Sequence, residues 1–361
     1  MRIIDKYILL QWLQSFLATV LVTAGILVME DMYKELTTLM DYGATAGELW
    51  AYYGLLLPQF FGVVIPVSFL ISLLYVLNRM HQAQEVVAMR AAGMSLWAML
   101  RSLWIVGMVL TVFLFLFNAS VIPLAMEKHR VIVDDLRFRE GSKQDSGVLL
   151  HVTFDHPSEH RRWFFNRFNE TTLHGYGVTV FQLDANGAEH DRYNAGEAYF
   201  DGDHWVLVDG RTLKFDANGE PVKSLGFDKK ELPNVRETPQ MMLLFRKKPK
   251  LLSFFELQTI KTHFDDDNPL VAPYVVRYYS VLLNPLLCLA LVGLAIPFSI
   301  AGVRTNPMVG ISKALGLFFL FYVLSSVCAL LGEQTVLHPL VAACLPGTCI
   351  VLITIYFYQR P

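Results

Sequence analysis

The chain has 361 residues, of which 54% are hydrophobic and only 17% are charged. This composition is too apolar for an ordinary soluble protein, and the formal net charge of −2 argues against a nucleic-acid partner or a polybasic anchor. The apolar residues are clustered into runs long enough to cross a hydrocarbon core about 30 Å thick. The sequence therefore predicts an α-helical membrane protein.

Three apolar runs in residues 1–122 predict spanning helices. They cover about 7–29, 49–77 and 96–122. The first run ends at Glu30-Asp31 and has no small-residue cleavage site, so we expect a retained helix rather than a removed signal. The second run contains Pro58 and Pro66, which a helix bundle tolerates because neighbouring groups re-satisfy the backbone.

The connector between the second and third runs, about residues 79–93, predicts a short helix. Glu85 lies in its body, Val86 and Met89 are apolar, Gly93 stops it, and Ser95 caps the third spanning helix. Such a helix could lie in a groove of an ATPase and transmit its motion to two spanning helices. The alternative is a connector that merely covers the end of the bundle, and the residues alone leave both interpretations open.

Residues 123–274 form a polar insert without a run of spanning length, and they predict an all-β domain with helical flanks. Short aromatic and β-branched segments recur about every 8–12 residues, as in a sandwich or jelly roll. The candidate strands are 148–154, 162–168, 177–183, 192–200, 204–208, 211–215 and 224–232. Asp184-Ala185-Asn186-Gly187 and its repeat at 216–219 predict tight turns. The predicted flanking helices are 125–139 and 253–263, the latter with a capping box of Ser253 and Glu256.

Apolar runs resume in residues 275–361, at about 275–301, 309–331 and 337–358, and predict three more spanning helices. The four cysteines fall inside these runs and read as small packing residues, because the sequence has neither a CxxC pair nor histidines at ligand spacing. The sequence therefore predicts six spanning helices, with the β domain inserted between the third and the fourth.

The distribution of Lys and Arg predicts the orientation of the helices. One set of loops and ends carries Arg2, Lys6, Arg79, Arg90, Arg101, Arg304 and Arg360. The opposite loops are acidic, with Lys34 their only base. Since positive residues stay in the cytoplasm, we expect both termini to be cytoplasmic and the β domain to lie outside.

Catalytic and ion-coupling machinery is missing from the sequence. It contains no GxxxxGK[ST] phosphate loop, no HExxH and no GxSxG. The predicted spans also carry no ionisable residue at mid-depth, where a proton- or ion-coupled transporter needs one. We expect no catalytic residue, metal ligand or cofactor in this chain, and an energy source in a separate subunit.

The sequence resembles the paired permeases of the lipopolysaccharide export ABC transporter over essentially its whole length. The most specific part is Glu85-Val86-Val87-Ala88-Met89-Arg90-Ala91-Ala92-Gly93-Met94-Ser95, which is similar to the family's coupling-helix signature. Further agreement comes from Asp5-Lys6-Tyr7-Ile8, Asn284-Pro285-Leu286 and Pro297-Phe298, and from the prolines of the second span. The start, the short tail and the stretch 316–323 favour the G-type over the F-type permease.

The resemblance implies partners and a mechanism. A homologous second permease would complete a heterodimer in the bacterial inner membrane, above a dimeric cytoplasmic ABC ATPase that holds ATP and magnesium. Lipopolysaccharide would pass through the periplasmic jelly rolls to a single-span bridge protein. By position, Glu85 is the expected polar contact with the ATPase, with Val86, Met89, Arg90 and Gly93 around it.

Basic residues near the outer ends of the spans are candidates for the lipid phosphates. These are Lys34, Lys128, Arg130 and Arg277. Each could equally be a snorkelling anchor. Glu30 and Asp31 stand where some family members have bases, which is compatible with another head group or with a division of labour between the two permeases.

Four other functions compete with lipopolysaccharide export. A permease for another envelope lipid or lipoprotein would use the same energy source, and a scaffold would leave ATP turnover independent of Glu85. A mechanotransmission protein usually has its large domain between the first two helices, unlike this chain. An intramembrane enzyme has little support, because the insert histidines, His129, His151, His156 and His160, have no nucleophile or metal spacing.

Overall fold

The computed structural model describes residues 3–138, 148–156, 159–170, 172–184, 187–216, 219–232, 235, 237–264, 268–300 and 307–359. The chain forms two compact units, Met1–Glu140 with Pro249–Pro361, and Gly141–Lys248. We call them the membrane unit and the β unit. Three arginines of the orientation argument, Arg2, Arg304 and Arg360, lie outside the described residues, as do the Ala-Asn pairs of the two predicted turns.

The membrane unit contains long helices on both sides of the insert in the sequence. In chain order these are α1 (Ile3–Asp41), α2 (Ala46–Gln82), α3 (Glu85–Ala91), α4 (Leu96–Leu116), a π-helical turn (Phe117–Val121) and α5 (Ile122–Phe138). The β unit follows with β1 (Val148–His156), β2 (Arg161–Asn169), β3 (His174–Leu183), β4 (Glu189–Phe200), β5 (Trp205–Phe215), β6 (Pro221–Leu232) and α6 (Pro239–Arg246). The chain ends with α7 (Phe254–His263), α8 (Ala272–Leu283), α9 (Leu287–Ile300), α10 (Pro307–Glu333) and α11 (Pro339–Gln359).

Six helical stretches of the described chain are long and apolar enough to cross a membrane, which confirms the predicted spans. They are Ile3–Asp41, Ala46–Gln82, Trp97–Arg137, Ala272–Ser299, Val309–Glu333 and Pro339–Gln359. The fourth stretch is α8 and α9, joined by a 3₁₀ turn at Asn284–Leu286. Pro285 has no backbone N–H to donate, so the regular α-helical ladder is interrupted there.

The centre of the membrane unit is the second half of α2. Phe69, Leu70 and Leu73 have no exposed surface, and they share an apolar core with residues of α1, α4, α9 and α10. Gly107 of α4 allows the close approach of α9, because a Cβ atom at this position would lie 2.9 Å from a methyl group of Val292. The bundle is therefore held by close packing around α2.

The C-terminal part of α1, the N-terminal part of α2 and the C-terminal part of α5 form a second, smaller core. It consists of Leu39, Tyr52, Leu56 and Leu136, with partly buried neighbours. Because of this core, α1 does not end at Glu30-Asp31 as the apolar run suggested. It continues for 39 residues, about 58 Å, which is nearly twice the hydrocarbon thickness.

The β unit is one six-stranded antiparallel sheet in the order β1-β2-β3-β4-β5-β6. The rings of Trp163 in β2 and Trp205 in β5 lie only 4.9 Å apart, although three strand spacings of a flat sheet are about 14 Å. The sheet therefore curls until β2 and β5 face each other across the core. The predicted β domain inserted between the third and fourth spans is confirmed. Each strand pairs with the next one in the sequence, so the sheet is a series of hairpins without the crossover connections of a jelly roll.

Seven strands were expected in the insert, and two of them, 204–208 and 211–215, are one strand in the structure. The intervening Asp209-Gly210 suggested a turn, but β5 continues through it, with Asp209 at a φ of 51°. A Cβ atom at Gly210 would lie 2.4 Å from the carbonyl oxygen of Asn194 in β4. The glycine therefore allows close strand pairing at this point. The other predicted turns hold, with Gly187 and Gly219 both at positive φ.

A buried ion pair closes the core of the β unit. Arg161 Nη1 donates to both carboxylate oxygens of Glu237, at 3.0 and 2.9 Å, and Glu237 is fully buried. Arg161 Nε donates to Gln182 Oε1 at 3.0 Å. Trp205 Nε1 donates to the backbone carbonyl of Glu237 at 2.6 Å. These bonds join β2, β3 and β5 to the segment that leads into α6.

Candidate coupling helix and lipid-contact residues

The predicted coupling helix is α3, which consists of seven residues between α2 and α4. It begins at Glu85 rather than near residue 79, because α2 continues as far as Gln82. Gln84 separates the two helices in a left-handed conformation, with a φ of 60°. At the other end, Gly93 has a φ of 82°, and the Ser95 side chain accepts a hydrogen bond from the Ala98 backbone N–H at 3.2 Å. The positive φ at Gly93 matches the predicted stop.

The apolar side of α3 packs onto the bundle. Val86 is 2% exposed and belongs to the same core as Phe69, and Met89 packs against that core. Val87, which the sequence reasoning did not single out, is 43% exposed, and Arg90 is also exposed. Helical spacing accounts for Val86, Met89 and Val87, because 86 and 89 share a face and 87 lies about 100° away from 86. Arg90, four residues after Val86, lies at the border of that face and is exposed nonetheless. The outward surface of α3 is therefore formed by Val87 and Arg90, with Glu85 at its edge.

Glu85 is half-buried and already has a partner within the chain. Tyr7 Oη of α1 donates to Glu85 Oε1 at 2.9 Å, although the two residues are 78 positions apart. Two residues before Tyr7, Asp5 is buried and accepts hydrogen bonds from Nε and Nη2 of Arg101 in α4. The first turns of α1 are thus bonded to both α3 and α4.

Three of the four candidate lipid cations lie on elements that the structure brings together. Lys34 Nζ is 2.6 Å from Glu30 within α1, and Arg130 Nη2 is 3.3 Å from Glu127 within α5. Lys128 is exposed on α5. The elements meet at Tyr52 of α2, which donates to Asp31 at 3.4 Å and whose ring lies 4.4 Å from that of His129.

Arg277 lies elsewhere, on α8, which packs against α7, α10 and α11. Its side chain is partly exposed, but its Nε atom is buried and has no hydrogen-bond partner among the described residues. The neighbouring Tyr278 and Tyr279 rings lie 5.0 and 4.5 Å from Lys261 Nζ of α7. The four cations therefore divide into a group around α1 and α5, and Arg277 with its buried, unsatisfied Nε atom.

A metal site in the described part of the chain would require several ligating side chains close together. No group of three His, Cys, Asp or Glu side chains in this part of the chain could hold a metal ion. The features that remain are α3, which packs on the bundle and has Glu85 at its outward edge, the exposed surface of α1, and the curled sheet of the β unit.

Comparison with known proteins matches this architecture to one family. The family model for the lipopolysaccharide export system permease LptF/LptG matches residues 6–360 of the chain. A search of curated proteins found no match to the chain. The match includes all six spanning stretches and the β unit, and so extends far beyond the coupling-helix signature. The chain therefore belongs to the LptF/LptG family of lipopolysaccharide export permeases, and is an inner-membrane transport subunit rather than an enzyme.

Proposed function

We propose that this chain is the G-type permease of an ATP-driven exporter that extracts lipopolysaccharide from the outer leaflet of the inner membrane and delivers it to a periplasmic bridge protein. A homologous permease completes the heterodimer, and a dimeric cytoplasmic ABC ATPase supplies ATP and magnesium. Both termini are cytoplasmic and the β unit is periplasmic. The G-type assignment rests on the Asp5-Lys6-Tyr7-Ile8 motif and the 316–323 stretch.

The observation that carries the proposal is the two-sided character of α3. Its inner side is built into the core through Val86 and Met89, so the helix cannot shift without moving α2 and α4. Its outer side presents Val87 and Arg90, with the Glu85 carboxylate at the edge. This is the arrangement a coupling helix needs, because a force on the outer side reaches the spanning helices through the packed inner side. A simple connector has no need of it.

The lipid phosphates are assigned to two places on the membrane unit. Arg277 is the principal candidate, because a guanidinium with a buried, unsatisfied Nε is costly until an anion binds it. Lys34, Lys128 and Arg130 form a weaker, secondary group, since Lys34 and Arg130 already pair with glutamates of their own helices. A phosphate would have to compete with these pairs.

The test is reconstitution of the co-expressed permease pair and ATPase, comparing wild type with Glu85→Gln. This substitution keeps the shape of the side chain and its ability to accept from Tyr7, but removes the charge offered to the ATPase. We expect the affinity for the ATPase to fall about tenfold or more. Gln82→Ala, an exposed substitution at the end of α2, is the matched control and should bind normally.

Mass spectrometry of the same preparations identifies the bound lipid and the partner subunits. We expect lipopolysaccharide with the wild-type complex and less of it with Arg277→Gln. Recovery of another lipid would favour a permease for a different envelope component. Undiminished ATPase binding by Glu85→Gln would contradict the coupling role of α3 and leave a scaffold as the better interpretation.

A further inference from the structure

The hydrogen bond between Tyr7 and Glu85 links α1 directly to α3, although the two helices are not consecutive in the backbone. Because α3 follows α2 and precedes α4, a displacement of α3 reaches these two helices through the backbone. Between α1 and α3 lies the whole of α2, so α1 can follow α3 only through side-chain contacts. The Tyr7 Oη to Glu85 Oε1 hydrogen bond of 2.9 Å is such a contact.

Such a connection matters because α1 is the least enclosed of the six spans. Only 6% of its most apolar window is buried, against 61% for α2. Its exposed apolar side chains include Leu13, Leu17, Leu21, Val22 and Ile26. The first turns of α1 are more buried, because Ile8 and Trp12 lie in the core and Asp5 is paired with Arg101. Contacts at this end therefore hold α1 in place, while most of its length faces outward.

The chemistry of the bond also bears on how Glu85 meets a partner. A carboxylate has two acceptor oxygens and no donor. Tyr7 donates to Oε1, and among the described residues no hydrogen bond to Oε2 is found. Tyr7 is 43% exposed, but it lies between Asp5 and Ile8, which are buried and hold the first turns of α1 in the bundle. Its hydroxyl is therefore a better-defined donor than water and restricts the rotamers of Glu85. An arginine or lysine of a partner would then meet an oriented carboxylate and lose less side-chain entropy on binding.

We propose that Tyr7 is a positioning residue for Glu85. It orients the carboxylate toward the ATPase, and it makes α1 follow α3 when the ATPase moves the coupling helix. The inference rests on the proposed role of Glu85 in ATPase coupling. It adds a third helix, α1, to the two that the coupling helix moves through the backbone.

The test uses the complete permease–ATPase complex in lipid nanodiscs, with Tyr7→Phe, Glu85→Ala and the double variant. Tyr7→Phe removes one hydroxyl and keeps the ring. Tyr33→Phe, in a 91% exposed tyrosine of the same helix, is the matched control. The measurements are the dissociation constant of the ATPase and the stimulation of ATP turnover by lipopolysaccharide. Thermal stability of each variant shows whether a change comes from lost folding.

We expect Tyr7→Phe to weaken ATPase binding about fivefold and to lower the lipid stimulation, with unchanged thermal stability. Tyr33→Phe should behave as wild type. The double variant should be no weaker than Glu85→Ala alone, because Tyr7 acts through the carboxylate that this substitution removes.

The two proposals fail in different ways. If Glu85→Ala binds the ATPase weakly while Tyr7→Phe matches wild type in both measurements, Tyr7 does not position Glu85 and only this inference is lost. Additive losses in the double variant would also overturn it, because Tyr7 would then act independently. If Glu85→Ala itself binds normally, the proposed coupling function is wrong, and the role of Tyr7 is lost with it.

Discussion

The two units of the molecule place charged side chains differently. The core of the membrane unit around Phe69 is apolar, and among the described residues the buried polar groups of this unit are four serines, Thr354 and, near the start of α1, Asp5. The β unit places a complete ion pair, Arg161 with Glu237, in its interior. Side chains of both ionic partners are largely buried there, at 10% and 0% exposure.

The surroundings of each unit explain the difference. A sheet in water gains free energy when its core, with Trp163 and Trp205, leaves water, and this gain can offset the cost of burying a paired charge. Helices in lipid have no such gain, because the hydrocarbon outside is as apolar as the interior, and close packing must hold them together. Charges then belong at the helix ends, as for Asp5 with Arg101. Arg277, with its buried Nε, departs from this pattern, which is why we assign it a ligand.

The largest effect is expected from breaking the ion pair of the β unit. Glu237→Gln should lower the free energy of unfolding of this unit by about 3 kcal/mol, because Arg161 stays buried with an uncompensated charge. Hydrogen exchange of the β2 and β5 amides in the intact protein measures the loss. Glu231→Gln is the control, since Glu231 and its partner Lys229 are each 55% exposed, and it should change the stability by less than about 0.5 kcal/mol. Equal effects at the two sites would contradict the contrast between the units.

A smaller effect is expected from a cavity in the membrane unit. Phe69→Ala should cost about 2 kcal/mol, at or below the low end of the range for soluble cores, because packing is lost while the transfer from water contributes little. Detergent-titrated unfolding of the purified protein measures it. Leu17→Ala on α1, where Leu17 is 58% exposed, should leave the unfolding curve unchanged. A loss of 4 kcal/mol or more at Phe69 would indicate that a water-driven term acts in this unit too.

The same contrast explains what the sequence could predict. The spans were predictable because about 20 consecutive apolar residues have few other structural solutions. The end of α1 was not, because charged residues interrupt the apolar run from Glu30 onward and the helix beyond them depends on the distant Tyr52 and Leu136. In the β unit the strand periodicity located most of the strands. The periodicity failed at Asp209-Gly210, which suggested a turn but lies within β5. The glycine is needed there because the backbone of β4 leaves no room for a side chain.

The candidate site was predictable only as far as local patterns reach. The coupling-helix signature located Glu85, and helical spacing would have placed Val86 inside and Val87 outside. The partner Tyr7 lies 78 residues away, and no local pattern joins the two. Nor could the sequence distinguish the paired Lys34 and Arg130 from Arg277, because their environment depends on which helices become neighbours.

The smallest predicted effect concerns a single cation inside the β unit. Lys230 Nζ donates to Thr212 Oγ1 at 3.0 Å and lies 4.5 Å from the centre of the Tyr193 ring. Burial lowers the pKa of the Lys230 ammonium group below its ordinary 10.5, although the nearby Asp191 opposes this shift. Between the lowered pKa and 10.5, the unfolded chain therefore binds more protons than the folded one, and the stability of the β unit should rise with pH.

Lys230→Met should flatten this rise, which thermal unfolding of the intact protein at a series of pH values up to 10.5 would show. Lys229 is the natural control because its pKa shifts the other way, raised by the hydrogen bond to Glu231. Its stabilising contribution is complete below 10.5 and is lost only above that pH, so Lys229→Met should keep the rise. A rise that survives in Lys230→Met would show that water reaches Lys230, and that the β unit buries charge only where a carboxylate is paired with it.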